Sequence, residues 1–123
     1  MFIAHERSGC SLADVVADEP WAVSVVTVSE LLHGVHRGKG HDGMRRRAWV
    51  EELIAGVEAV PITMAVARVH SEVWATLAAR GRTIGQHDLW IAATALTHGL
   101  GVVTRNATDF ARVPGLRVLD FAG

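Results

Sequence analysis

The sequence predicts a three-layer α/β/α domain with a mainly parallel sheet, and three observations carry that expectation. Short runs rich in β-branched residues, residues 22–26 (A-V-S-V-V) and 102–104 (V-V-T), are apolar on both faces, as strands covered from both sides are. Helix-length segments separate the candidate strands, which is the alternation that parallel crossovers require. Residues 89–96 form a helix-length run almost without charge, so that helix is buried nearly all round. With 123 residues, half of them apolar, the chain supports one domain over 1–123 with one sizeable core. It contains no repeat, linker or low-complexity segment.

Taken in order, residues 1–4 are apolar and residues 5–9 turn polar. Residues 12–17 have the spacing of a short amphipathic helix, closed by Asp18-Glu19-Pro20. After the strand at 22–26, Thr27-Val28-Ser29-Glu30 reads as an S/T-x-x-E capping box that opens a helix through Leu31 and Leu32. Residues 34–43, rich in glycine, histidine and basic side chains, read as a loop, and a helix follows over 44–54. A short strand is expected at 57–62, where Pro61 confines it to an edge or a strand end because proline has no N–H to donate. Thr63 caps a helix over 64–79 whose apolar stripe is Val66, Val69, Val73, Trp74 and Leu77. Residues 81–86 feed the helix that carries Asp88 in its first turn, and Gly99 stops that helix. Residues 105–111 form a loop with one helical turn, and 117–121 alternate as a last, more exposed strand.

Lys and Arg number 12 against 13 Asp and Glu, a formal charge of −1, with a pI near 6.6. A dominant basic field is absent, so any phosphate-bearing substrate must be held by local groups or by metal. Cys10 is the only cysteine, which excludes an internal disulfide and suits a reducing cytoplasm. Residues 1–9 place His5, Glu6 and Arg7 where a signal peptide needs an apolar core, and no run reaches the length of a membrane span. The expectation is a soluble cytoplasmic protein that does not engage membrane.

In open parallel sheets, functional groups gather outside the carboxyl ends of the strands. Three acids fall at such junctions: Glu30 after the strand at 22–26, Asp109 after the strand at 102–104, and Asp88 at the start of the buried helix. Each has a purely structural alternative. Glu30 also suits the capping box, Asp88 also complements the positive end of a helix dipole, and Asp109 also suits a solvated loop. Two carboxylates about 5 Å apart repel by roughly 3 kcal/mol at an effective dielectric near 20. Three sharing a pocket therefore need a cation or protonation. Oxygen-only ligation points to a hard ion, Mg²⁺ or Mn²⁺, and such an ion polarises a phosphoryl oxygen and activates water. The chemistry that follows is phosphodiester hydrolysis.

The ordered motifs S-E-L-L-H-G (29–34), I-G-Q-H-D-L-W-I-A-A-T-A-L (84–96), V-T-R-N-A-T-D-F (103–110) and V-P-G-L-R-V-L (113–119) span nearly the whole chain. Together they resemble PIN-domain proteins, most closely the VapC-type toxins of toxin–antitoxin pairs. The resemblance implies a metal-dependent endoribonuclease that cuts RNA, forms a homodimer and is silenced by a cognate VapB-like antitoxin. Residue by residue it implies that Glu30, Asp88 and Asp109 hold the metal. It also implies that Thr104 and Asn106 support the last acid or a water by hydrogen bonds. The family begins with an apolar strand ending in aspartate, at the centre of its sheet. Residues 1–4 correspond to the stretch after that aspartate, so the resemblance places the central strand and its acid upstream of Met1. Hence a second expectation stands beside the enzyme: a catalytically dead relic that binds an antitoxin without cleaving RNA. A small metal-dependent phosphatase is a third.

The remaining polar residues carry less. His33, His36 and His41 have no familiar zinc spacing and read as surface histidines. His87 reads as a partly exposed helix-start residue. Trp21, Trp49, Trp74 and Trp90 adjoin apolar runs and read as core or dimer contacts before base-stacking platforms, and Arg45-Arg46-Arg47, a basic helix start, reads as a solvated face by a small margin over an RNA contact.

Overall fold

The computed structural model describes residues 2–3, 22–104 and 106–120. Five strands, β1 (Phe2–Ile3), β2 (Ala22–Ser24), β3 (Glu58–Val60), β4 (Val102–Thr104) and β5 (Val118–Asp120), form one sheet in the order β3-β2-β1-β4-β5. Every pairing is parallel. Between the strands lie α1 (Val25–Arg37), α2 (Gly40–Gly56), α3 (Met64–Ala79), α4 (Gln86–Thr97) and the single turn α5 (Ala107–Phe110). Parallel strands with helical crossovers are the expected class, and Glu58–Val60, followed by Pro61, lies at one edge as proline requires.

The centre of the sheet needs correction. It was expected to be vacated by a strand upstream of Met1, yet β1 holds it, with Phe2 in register with both Ala22 and Val102. The physical reason is the inward-facing N–H and C=O groups of β2 and β4, which need partners. An apolar segment of two residues supplies them. The short helix expected at 12–17 lies outside the described residues.

Helix α1 also starts earlier than the sequence predicts. The run 22–26 does not stay extended, because the Ser24 side chain accepts a 3.0 Å hydrogen bond from the Val26 N–H and caps a helix beginning at Val25. The capping box at Thr27–Glu30 therefore does not form. Thr27 is buried with its hydroxyl unpartnered among the described residues, and Glu30 sits in the second turn, beyond reach of the helix end.

The region 34–43 is likewise not a loop. α1 runs through to Arg37 and α2 starts at Gly40, leaving Gly38-Lys39 as the connection. Glycine permits this tight hairpin. Gly40 takes φ +64°, and a Cβ on Gly43 would stand 2.8 Å from the Gly38 carbonyl carbon. The hairpin is sealed by Leu31, Val35 and Val50, with Leu32, Leu53 and Ile54 packed against them.

The main core joins the sheet to α3 and α4 through Val60, Val73, Leu77, Leu89, Ile91, Ala92, Ala95, Val102, Phe110 and Val113. Helix α3 has the expected bounds and cap, with the Thr63 hydroxyl accepting from the Val66 N–H at 3.3 Å. Trp74 leaves the expected stripe, however, and is 49% exposed. Helix α4 is buried along Asp88, Leu89 and 91–95, as its lack of charge predicts. Each fully buried Leu or Ile there contributes about 1.5–3 kcal/mol. Gly99 follows with φ +67° and ends the helix.

The hairpin yields a stability prediction. Gly43→Ala forces a backbone–backbone clash costing about 1–3 kcal/mol, which outweighs the ~1 kcal/mol of helix propensity that alanine gains. Gly56→Ala, with open space around its Cβ, is neutral or stabilising. Urea unfolding of both variants checks the pair; stabilisation by both contradicts the close α1–α2 crossing.

Candidate active site at the carboxyl ends of the strands

The site is assembled by three element junctions. β4 ends at Thr104, a buried residue whose hydroxyl accepts a 2.9 Å hydrogen bond from the Asn106 backbone N–H. That bond turns the chain immediately after the strand and sets the Asn106 side chain. Its Nδ2 donates to Asp88 Oδ2 at 2.9 Å and to Asp109 Oδ2 at 3.0 Å. One amide group therefore holds two carboxylates within about 6 Å of each other, although 21 positions separate them in sequence. Asp88 is buried in the first turn of α4, and Asp109 lies in the one-turn α5.

Glu30 approaches from α1. Its Oε2 lies 3.4 Å from Nδ1 of His87, the residue beside Asp88, so the third acid sits at the same end of α4. The other Glu30 oxygen, Oε1, is buried with no hydrogen-bond partner among the described residues. An anionic oxygen withdrawn from water and left unpaired is costly, and a cation is the group that satisfies it. All the candidate donors are oxygens, which suits a hard divalent ion. Among the described residues no three His, Cys, Asp or Glu groups close around one point. The donor set that fits is thus the Asp88–Asp109 pair with Glu30 nearby, and a magnesium-like ion needs only one or two carboxylates beside its waters.

Of the five residues expected at the site, Asp88, Asp109, Thr104 and Asn106 are joined by hydrogen bonds at one rim of the sheet, and Glu30 is linked to them through His87, the neighbour of Asp88. Arg112 and His70 join the site without having been expected there, and His87 gains a partner. Arg112 Nη1 lies 3.4 Å from Asp109 Oδ1 and donates to the Thr83 carbonyl at 3.3 Å, tying α5 to the loop that feeds α4. Its spacing of three after Asp109 on a helical turn was the available signal. His87 is the exposed helix-start residue that was expected, and its contact with Glu30 is what the sequence did not show. His70 of α3 is buried and stacks on Trp90 of α4 at 3.6 Å between ring centroids, with Trp74 edge-on at 5.7 Å. Nothing in the spacing of His70 marks it out. Trp49 is 37% exposed, and Trp21 lies outside the described residues.

The PIN domain family matches residues 3–116 of the chain. Ribonuclease VapC4 of Mycobacterium tuberculosis is 36% identical over 110 residues, covering 86% of this chain and 81% of that protein. The tRNA(fMet)-specific endonuclease VapC of Shigella flexneri is 33% identical over 100 residues, covering 81% and 74%. Among solved structures, VapBC-5 of Mycobacterium tuberculosis, a member of the VapBC family of toxin–antitoxin systems, superposes with a TM-score of 0.81 at 29% identity. That match covers 97% of this chain and 96% of the other.

The buried imidazole behind the site predicts a pH effect on stability. Burial lowers the His70 pKa from its ordinary 6.5, because the charged form loses hydration. The unfolded chain then binds a proton that the folded one refuses. Stability from this group is complete above about pH 6.5 and is lost as the pH falls toward the lowered value, by at most about 1.4 kcal/mol per pH unit. Urea unfolding between pH 7.5 and 5.5 is expected to show a shallower decline for His70→Phe than for the unsubstituted chain. Equal declines contradict the buried neutral imidazole.

Proposed function

This chain belongs to the PIN-domain family, in its VapC-type branch, and from that premise we propose that it is a metal-dependent endoribonuclease, the toxin of a toxin–antitoxin pair. It acts in the cytoplasm, hydrolysing phosphodiester bonds of RNA and so inhibiting translation. The observation that carries this reading is the Asn106 amide bridging Asp88 and Asp109, with Glu30 reaching the start of the same helix through His87. Asp88, Asp109 and Glu30 would hold Mg²⁺, or Mn²⁺ in its place. Bound there, the ion supplies positive charge to a phosphoryl oxygen and lowers the pKa of a water.

The chain's own contribution is to fix the acids. Thr104 orients the Asn106 backbone, Asn106 sets the spacing of the two aspartates, and Arg112 anchors Asp109 to the loop before α4. Asp88 rides on a helix buried on most of its surface, so its position costs no ordering when substrate arrives. A VapB-like antitoxin is the proposed partner, in keeping with the VapBC complexes among the structural relatives, and the working form is a homodimer.

One observation favours a second reading. Among the described residues the three acids do not converge on a single point, and one oxygen of Glu30 lies 3.4 Å from the His87 ring. A chain in that condition would bind its antitoxin and sequester it without cutting RNA.

Cleavage of total RNA separates the two. The ribonuclease reading expects cleavage with Mg²⁺, none with EDTA, and a loss of about 100-fold or more in Asp88→Asn and in Asp109→Asn, beyond the 10–100-fold typical of losing a supporting group alone. Undiminished cleavage in both variants rejects the site. Absence of cleavage by the unsubstituted chain, with antitoxin binding intact, selects the sequestering module.

A further inference from the structure

The α1–α2 hairpin concentrates charge in a protein whose total is nearly balanced. Residues 37–47 contain Arg37, Lys39, Arg45, Arg46 and Arg47 against the single acid Asp42, while the whole chain sums to −1. All five cations are exposed. Their relation to the acidic rim is set by α1. Gly34 is one turn beyond Glu30 on the same face of the helix, and Arg37 lies on that face again, seven residues beyond Glu30. The Arg46 guanidinium is seated at Gly34: a Cβ there would stand 3.3 Å from Arg46 Nε and 3.5 Å from Nη2. Glycine at 34 is what lets the guanidinium lie against the helix. Read along α1, the surface thus passes from Glu30 to the guanidinium of Arg46 and then to Arg37, over rises of about 6 and 10 Å.

We infer that Arg46 and Arg37 form a phosphate track that holds the RNA strand on one side of the cleaved bond. The inference rests on the ribonuclease reading and deepens it, by assigning which residues position the substrate. A strand with one phosphate at the acidic rim presents its neighbouring phosphates along the chain's path, and guanidinium groups bind them by bidentate, charge-assisted hydrogen bonds. Each has five N–H donors, so contact with one neighbour leaves others for phosphate. An acidic peptide is the weaker candidate for this surface. Its carboxylates would meet the guanidinium groups but have no part to play at the acidic rim, whereas a nucleic acid brings phosphate to both ends, to the guanidinium groups directly and to the acids through the divalent ion they would hold. The local cations also answer how a protein without net positive charge binds a polyanion. Arg46 and Arg37 are positioning residues, since they would hold the neighbouring phosphates and not the bond that is cut.

The test uses fluorescein-labelled oligouridine and the full chain, with binding measured by anisotropy in EDTA at several salt concentrations and cleavage measured separately in Mg²⁺. Arg46→Gln and Arg37→Gln are each expected to weaken binding about fivefold at 0.1 M salt and to lower the log–log salt slope by about 0.7, the effect of one single-strand phosphate contact. KM for cleavage rises in parallel while kcat holds. Arg117→Gln is the control. It removes the same charge at the opposite end of the sheet, where the Arg117 carbonyl accepts from Val102 N at the start of β4, and it leaves affinity and slope unchanged. Unchanged binding in Arg46→Gln and Arg37→Gln overturns the track while leaving the ribonuclease reading standing. Equal losses in the control overturn it in favour of net charge. Loss of binding to an acidic peptide but not to oligouridine assigns the surface to a protein partner instead. Oligouridine binding with the expected slopes but no cleavage in Mg²⁺ upholds the track and rejects the enzyme.

Discussion

Asp88 and Asp109 share a small space because the side-chain amide of Asn106 stands between them. Without a donor, two carboxylates at this separation repel by a few kcal/mol even at a protein-surface dielectric. The amide meets each at hydrogen-bond distance and is itself aimed by the turn that the Thr104 hydroxyl makes with the Asn106 backbone. That turn exists only at the end of a buried strand, and Asp88 is where it is only because α4 is held on nearly every side. The acidic rim is thus a product of the core. Its polar spacing is fixed by apolar packing on Leu89, Ile91, Val102 and Phe110.

Behind the rim lies a second layer that adds stiffness at the cost of pH tolerance. Trp90 follows Asp88 by two residues and turns its ring onto His70, joining α4 to α3 by a stack at 3.6 Å. The imidazole Nε2 is buried without a partner among the described residues, an arrangement tolerable only while the ring is neutral. On the other side, Arg112 ties α5 to the loop before α4. The start of α4 is therefore held from the helix beside it and from the turn after β4, which suits an element that presents a carboxylate to substrate.

Much of this was legible in the sequence, and the failures share one cause. The bounds of α3, its Thr63 cap and the burial of α4 follow from local signals that nothing in the fold opposes. The place of Asp109 at the rim was inferable from its strand end, because parallel sheets bring such junctions together, but that the start of α4 brings Asp88 there depends on helix packing that no local pattern supplies. Local rules failed where two patterns competed. Val25 and Val26 look like strand, but the Ser24 cap recruits them into α1, and this frees Glu30 from the capping role that Thr27 suggested. The glycines at 38 and 43 look like loop, but their use is close helix contact. The centre of the sheet is taken by Phe2–Ile3 because the open edges of two neighbours demand a partner, a non-local constraint that no window of sequence contains. The contacts of His70, His87 and Arg112 depend on how helices are set against one another, and no spacing rule supplies that.

The account stands or falls on whether the oxygens of Glu30, Asp88 and Asp109 form one cation site. The most direct measurement is a titration of the metal-free chain with MgCl₂, followed residue by residue through its amide NMR signals, including the side-chain NH₂ of Asn106. The account predicts saturable shifts concentrated at residues 30, 87–89, 104, 106 and 109, and their disappearance in Asp109→Asn. Shifts that do not saturate, or that cluster away from those residues, contradict it.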